Sequence, residues 1–247
     1  GLAELRLAID LYAKYGAPPE DRLRALAQLL LPATRMQGSV AERISEERME
    51  TLRAEGRELV SRTNERRSIA RFLAADAFYP FWLQAVRAPS DEDLDAANDS
   101  ARQALETARE LGDFNLASIA LDALAGNATA INDLQATREF SRQRLEFEDR
   151  LNLYERIDAL SMMAWMNALL GELQAAVDAS TRGMAVIQPG QVPANVLHLL
   201  SWRLYALFHL GRWDEVMALG PRLIQLWDEA GRITAGSCVN TTVNGPV

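Results

Sequence analysis

The feature that most constrains this 247-residue chain is a period of about 40 residues in its second half. Turn residues at Asn132, Gly171 and Gly211 are spaced by 39 and 40 residues. Between these turns, apolar residues recur every three or four positions, which is typical of amphipathic helices. The period therefore predicts a repeating helix pair. Because one pair cannot bury its apolar face alone, the pairs are expected to stack into an α-solenoid.

The first half fits the same scheme, with helices predicted at 2–15, 19–36, 41–63, 65–87 and 91–111. Ser90 is a candidate N-cap for the last of these helices, and Gly112 is a candidate C-cap. Pro80 falls inside a predicted helix and should kink it. Period-two strand patterns are absent before Gly236. The sequence thus predicts an all-α fold of about eleven helices.

We expect this fold to form a single helical-repeat domain over residues 1–247. Its predicted units are two leading helices at 2–36, a helix at 41–64 that packs with them, helix pairs at 65–112, 113–152, 153–190 and 192–232, and a truncated repeat or tail at 233–247. The broken period after 232 and the missing initiator Met indicate a fragment of a larger protein.

Composition excludes several classes of function. With 34 acidic and 26 basic residues, the net charge of −8 argues against nucleic acid as the ligand. A single cysteine, Cys238, and two histidines exclude a disulfide framework and a histidine-rich metal centre. No phosphate-binding glycine loop or nucleophile elbow occurs. We therefore predict no catalytic residues, no metal and no cofactor. Without a signal peptide or a long apolar run, the expected location is the cytoplasm rather than a membrane.

Two stretches around the turns resemble a known repeat. Leu210-Gly211-Arg212-Trp213-Asp214-Glu215-Val216 is similar to the turn of the tetratricopeptide repeat, and Leu170-Gly171-Glu172-Leu173-Gln174-Ala175-Ala176 is the next best match. The family's small residues at helix crossings are matched by Ala125, Ala164, Ala176, Ser180 and Gly183. Arg144, Leu204, Val216 and Leu223 depart from that pattern. A period near 40 is similar to the divergent repeats of large bacterial signalling and transcription regulators.

The resemblance implies a right-handed superhelix that binds its partner in a concave groove lined by the first helix of each pair. The residues that would face the groove are aromatic, acidic or polar: Phe72, Asp76, Tyr79, Asp122, Thr129, Asp158, Ser161, Trp165, His198, Ser201, Tyr205, Phe208 and His209. None of these residues is a lysine or an arginine, so the groove would favour a neutral or basic segment. In this register Asp76, Asp122, Asp158, Trp165, Tyr205 and His209 should line one continuous concave surface, and each should be at least partly accessible. In contrast, Ala125, Ala164, Leu170 and Leu210 should be buried between helices.

These observations predict a non-catalytic protein- or peptide-binding module of a bacterial regulator. The alternative is a sensor domain, in which a small molecule or signalling peptide fills a pocket closed by Trp165 and Tyr205 and changes the shape of the superhelix. An uncapped repeat end would expose apolar surface, so a homodimer through that end is a further expectation.

Overall fold

A computed structural model describes residues 2–35, 44–188 and 193–229 of the chain. These residues form twelve α-helices and one short 3₁₀ helix, and they contain no strand. The predicted all-α class is confirmed, and so is a number of helices near eleven. The tail predicted at 233–247, including Cys238, lies outside the described residues.

The helices are α1 (Leu2–Tyr15), α2 (Pro19–Arg35), α3 (Glu46–Val60), α4 (Arg66–Asp76), α5 (Tyr79–Leu83), α6 (Asp91–Glu110), α7 (Phe114–Ala130), α8 (Leu134–Leu145), α9 (Leu153–Leu169), α10 (Leu173–Ala185), α11 (Pro193–His209) and α12 (Trp213–Glu229). The 3₁₀ helix, Glu148–Arg150, lies between α8 and α9.

The chain divides into two compact units with the boundary between Asn132 and Asp133. The N-terminal unit contains α1 to α7, and the C-terminal unit contains α8 to α12. The boundary falls at the turn inside the pair predicted at 113–152, so the two helices of that pair belong to different units.

The periodic turns have the left-handed backbone conformation that the sequence suggests. Gly112, Gly171 and Gly211 have φ angles of 64°, 78° and 71°, and Asn132 has a φ of 64°. Glycine adopts this conformation without a Cβ penalty, and asparagine tolerates it better than most residues. After each glycine, the next amide N–H donates to a carbonyl five residues earlier, for example from Glu172 to Asn167 at 2.8 Å. This pattern is the Schellman motif, which terminates a helix.

Local signals also set the start of α6 and the break before α5. Ser90 and Asp93 form a capping box, which confirms the predicted N-cap. The continuous helix predicted at 65–87 is wrong, because the chain leaves the helix between α4 and α5. Pro80 lies in the first turn of α5, where its missing N–H costs little. It therefore helps to begin a new helix instead of kinking an old one.

Each unit has its own core. In the N-terminal unit the largest fully buried side chains include Phe72, Tyr79 and Trp82. In the C-terminal unit, α10 packs against α9 and α11, and α12 packs against α11. Leu223 and Leu226 of α12 are buried against α11. This packing fixes which face of α9, α11 and α12 remains accessible.

Candidate functional site

The groove residues predicted for the N-terminal unit are buried, with Thr129 as a half-buried exception. Phe72 and Tyr79 have no exposed surface, Asp76 is 1% exposed, and Asp122 is 6% exposed. The predicted accessibility of Asp76 and Asp122 is therefore wrong, and Phe72 and Tyr79 lie in the core instead of facing a groove.

Arginines from α3 cover Asp76. Arg53 Nε donates to Asp76 Oδ1 at 2.7 Å, and Arg57 Nη2 donates to Asp76 Oδ2 at 3.1 Å. The Arg53 guanidinium also lies over the Tyr79 ring, 3.3 Å from its centroid. Burial, together with the hydrogen bond from the Tyr79 hydroxyl to Glu50, raises the pKa of Tyr79 to about 12. Asp76 is thus part of a structural ion pair within the core.

Asp122 is covered in the same way by α2. Arg35 Nε donates to Asp122 Oδ2 at 2.8 Å, and both side chains are 7% exposed. The Arg35 guanidinium also lies 5.7 Å from the centroid of the Phe78 ring. The partner of Asp122 therefore comes from the second leading helix, and the partners of Asp76 come from the helix predicted to pack with the leading helices.

Two predicted groove residues of the C-terminal unit are also buried. Ser161 and Ser201 have no exposed surface. Each hydroxyl donates to a carbonyl of its own helix at 2.8 Å, from Ser161 to Ile157 and from Ser201 to Leu197. These hydrogen bonds satisfy the hydroxyls inside the core. Both serines were predicted to face the groove, and they lie in the core instead.

Arg144, which stands where the tetratricopeptide repeat prefers a small residue, has a clear structural role. Arg144 has no exposed surface, and its Nη2 donates to Asp158 Oδ2 at 2.6 Å and to Glu155 Oε2 at 3.4 Å. The Asp158 side chain is 16% exposed. A buried guanidinium is tolerated here because two carboxylates from α9 neutralise it.

The remaining predicted residues of this unit come together. Six rings of α9 and α11 form a continuous series, which we call the aromatic row: Trp165, His198, Trp202, Tyr205, Phe208 and His209. Ring centroids in contact along the row lie 4.3 to 6.4 Å apart, and all of these pairs except Tyr205–His209, the shortest, lie within the range typical of favourable aromatic pairs. Phe208 also makes an edge contact with Trp213 of α12 at 4.9 Å.

Exposure increases along the row. Trp165, His198 and Tyr205 are half-buried, whereas His209 is exposed and Phe208 is 42% exposed. The predicted accessibility of Trp165, Tyr205 and His209 is therefore confirmed. Ala125 and Ala164 are fully buried as expected, but Leu170 is only half-buried and Leu210 is 38% exposed. The two leucines lie at the turn ends of their helices, where fewer neighbours cover them.

Trp202 is the central ring of the row, and the sequence prediction omits it from the groove. Its centroid lies 6.2 Å from that of Trp165, 6.4 Å from that of His198 and 5.9 Å from that of Tyr205. The signal was present in the spacing, because steps of four, three and four connect His198, Trp202, Tyr205 and His209 on one helix face. The buried Trp202 Nε1 has no hydrogen-bond partner among the described residues.

His198 lies at the half-buried end of the row, away from the exposed Phe208 and His209. We call this the inner end. Burial lowers the pKa of His198, and the nearby Asp158 carboxylate opposes that shift. Burial is the larger effect, so the imidazole is neutral near pH 7. The inner end of the row therefore presents a neutral ring beside a carboxylate that is paired with Arg144.

This arrangement offers apolar area with polar atoms at its edges, which suits reversible binding of a chain segment. Within the described ranges, no cluster of three or more His, Cys, Asp or Glu side chains could hold a metal ion. No helix in the described part of the chain is long and apolar enough to cross a bilayer. No family model matches the chain, and the search of curated proteins finds no match either.

Proposed function

We propose that this protein is a peptide- or protein-binding repeat module that binds a neutral or basic segment along the aromatic row of its C-terminal unit. In this proposal the helix pairs stack as an α-solenoid similar to tetratricopeptide repeats, within a bacterial regulatory protein. The observation that carries the proposal is the continuity of six rings on α9 and α11, most of which keep accessible surface.

The length of the row suits a short peptide. His198 and His209 are eleven residues apart on one helix, a distance of about 16 Å at 1.5 Å per residue. An extended peptide covers that distance with about five residues at 3.3 Å each. Rings such as Tyr205 would supply most of the contact energy, as aromatic residues do at interface hot spots.

The charge of the site favours a neutral or basic ligand. The predicted groove residues include no lysine or arginine. The whole chain also has a net charge of −8. At the inner end, Asp158 and Glu155 both pair with the Arg144 guanidinium, which has no exposed surface. An acidic ligand would approach against this field.

The alternative function, a sensor with a pocket closed by Trp165 and Tyr205, receives less support. The Trp202 ring contacts both of these rings and so occupies space that a ligand between them would need. A small molecule would have to displace Trp202 and expose its indole. A peptide lying over the row needs no such movement.

The proposal can be tested with displayed peptides. A random peptide library is panned on the full chain, and enriched peptides are labelled and titrated by fluorescence anisotropy. We expect neutral or basic peptides with apolar residues. Replacement of Tyr205 and Phe208 by Ala should weaken their binding by about 2 kcal/mol, or about 30-fold in Kd.

The matched control is the double variant Tyr15→Ala and Phe81→Ala, which removes two exposed rings from the N-terminal unit. It should leave peptide affinity unchanged. Enrichment of acidic peptides, or equal losses of affinity in both double variants, would contradict the proposal.

A further inference from the structure

Two aromatic rings in the N-terminal unit are covered by arginines of the chain itself. The Arg53 guanidinium lies 3.3 Å from the centroid of the Tyr79 ring, and the Arg35 guanidinium lies 5.7 Å from that of Phe78. Both guanidiniums also donate to an aspartate that the sequence assigns to the groove. The electron-rich face of an aromatic ring attracts a cation, and arginine is the usual partner. Arginine is therefore the group with which this fold covers rings beside predicted groove residues.

The rings of the aromatic row have no such cover. Within the described part of the chain, no lysine or arginine lies over the rings of Trp165, Trp202, Tyr205 or Phe208. Tryptophan and tyrosine are also strong ring partners of a cation. The C-terminal unit thus leaves open the kind of contact that the N-terminal unit completes with its own arginines.

Tyr205 is the ring of the row best placed for a cation. It is half-buried, so a cation over it is partly removed from water, where its attraction to the ring is stronger. The two rings that contact Tyr205 are tilted relative to it, Trp202 by 67° and His209 by 53°. A flat group stacked on Tyr205 can therefore contact these neighbouring rings along its edges.

The shape of the site favours a guanidinium over an ammonium group. A guanidinium is planar and weakly hydrated, so it stacks on a ring while its N–H groups remain available around its edge. Arg53 shows both contacts at once, because it lies over Tyr79 while its Nε donates to Asp76 at 2.7 Å. An ammonium group is compact and strongly hydrated, so it loses more on leaving water.

We propose that the aromatic row recognises an arginine side chain of the bound segment, with the guanidinium stacked on the Tyr205 ring. This inference rests on the proposed function, because it names the side chain by which the row selects its ligand. It narrows that ligand from a neutral or basic segment to one that contains arginine. The residues on either side of the arginine lie along the other rings of the row.

Three labelled peptides of the form Leu-Ala-Xaa-Ala-Leu test the proposal, with Arg, citrulline or Lys at the central position. Citrulline keeps the planar shape of the arginine side chain but has no charge. We expect the Arg peptide to bind the full chain at least about tenfold more tightly than the citrulline peptide in fluorescence anisotropy, a difference of about 1.4 kcal/mol. The Lys peptide should also bind more weakly than the Arg peptide, because its ammonium group does not stack.

Variants of Tyr205 show whether the ring causes this preference. Tyr205→Leu keeps an apolar side chain but removes the ring, so it should abolish the advantage of the Arg peptide over the citrulline peptide. Tyr205→Phe keeps the ring face and should retain most of that advantage. Circular dichroism checks that both variants are folded. The matched control is Tyr15→Leu at a tyrosine that is 74% exposed in the N-terminal unit, and it should leave all three affinities unchanged.

Several results would overturn arginine recognition and leave the proposed function standing, provided that replacement of Tyr205 and Phe208 by Ala still weakens peptide binding. These results are equal affinities of the Arg peptide and either other peptide, an Arg advantage that persists in Tyr205→Leu, and an Arg advantage that is lost in Tyr205→Phe. If no peptide binds, or if the double Ala variant binds as tightly as the unmodified chain, the proposed function fails and this inference fails with it.

Discussion

In the N-terminal unit, the aromatic and acidic side chains that the repeat register assigns to a groove are mostly buried, whereas in the C-terminal unit the corresponding rings keep accessible surface. Phe72 on α4 has no exposed surface, but Phe208 on α11 is 42% exposed. Asp76 and Asp122 are paired with arginines from α3 and α2. The aromatic row, in contrast, is made of rings that contact one another.

The difference teaches that a repeat position does not determine exposure. The N-terminal unit contains helices that cover the first helices of its pairs, and these helices bring arginines suited to the aspartates beneath them. A phenylalanine therefore lies in the core of the N-terminal unit and at the surface of the C-terminal unit. Substitutions at matched positions should separate these two roles.

The largest contrast should come from the two phenylalanines. Phe72→Ala removes a fully buried ring that lies against Gly56, so it should reduce the free energy of unfolding by about 4 kcal/mol. Phe208→Ala should reduce it by about 1 kcal/mol or less, because much of that ring is already in water. Urea unfolding followed by circular dichroism measures both values. Similar losses from the two variants would remove the distinction between core and surface.

A slightly smaller effect is expected from the buried ion pair. Asp76→Ala leaves the Arg53 guanidinium buried without its carboxylate, which should reduce the free energy of unfolding by about 3 kcal/mol. Urea unfolding followed by circular dichroism measures this loss. The exposed Asp95 provides the control, and Asp95→Ala should change stability by less than about 0.5 kcal/mol. Equal stabilities of the two variants would refute a structural role for Asp76.

Two glycines sharpen the comparison between the covered face of α10 and the open face of α12. Gly183→Ala places a Cβ against Leu199 and should destabilise the C-terminal unit by about 2 kcal/mol. A Cβ added at Gly220 meets no atom within 4 Å apart from its chain neighbours, but the following Pro221 disfavours a helical residue with a Cβ at this position, which offsets the helix propensity of alanine; Gly220→Ala should therefore change the free energy of unfolding by less than about 1 kcal/mol. Thermal unfolding of the two variants measures both changes. A loss from Gly220→Ala as large as that from Gly183→Ala would contradict the difference between the two faces.

The smallest expected effect concerns pH. Because burial lowers the pKa of His198, the unfolded chain takes up a proton at a higher pH than the folded chain does. The stability from the neutral imidazole is present above the ordinary pKa near 6.5 and is lost as the pH falls below it, with a slope of at most about 1.4 kcal/mol per pH unit. His198→Gln should reduce this slope in urea unfolding measured between about pH 7.5 and pH 5.5. The control is His209→Gln, which changes an exposed ring of the row. An unchanged slope in His198→Gln would contradict the lowered pKa of His198.

Much of the fold follows from the sequence because the signals are local. The glycines and Asn132 determine where helices end, since only a few residues accept a positive φ at low cost. Ser90 and Asp93 determine where α6 begins through hydrogen bonds that span three residues. The spacing of His198, Tyr205 and His209 placed three rings of the site on one helix face. Each of these features depends on residues within about three helical turns.

Exposure was decided only by tertiary structure, because the covering residues are distant in sequence. Arg35 reaches Asp122 across 87 residues, and Arg53 reaches Asp76 across 23. A helical period states which residues share a face, but it does not state which other helix packs on that face. The sequence by itself therefore determined the all-α class, the turns and the caps. The packing of α2 and α3 within the N-terminal unit, and of α11 on α10, decided which predicted groove residues became core and which remained accessible.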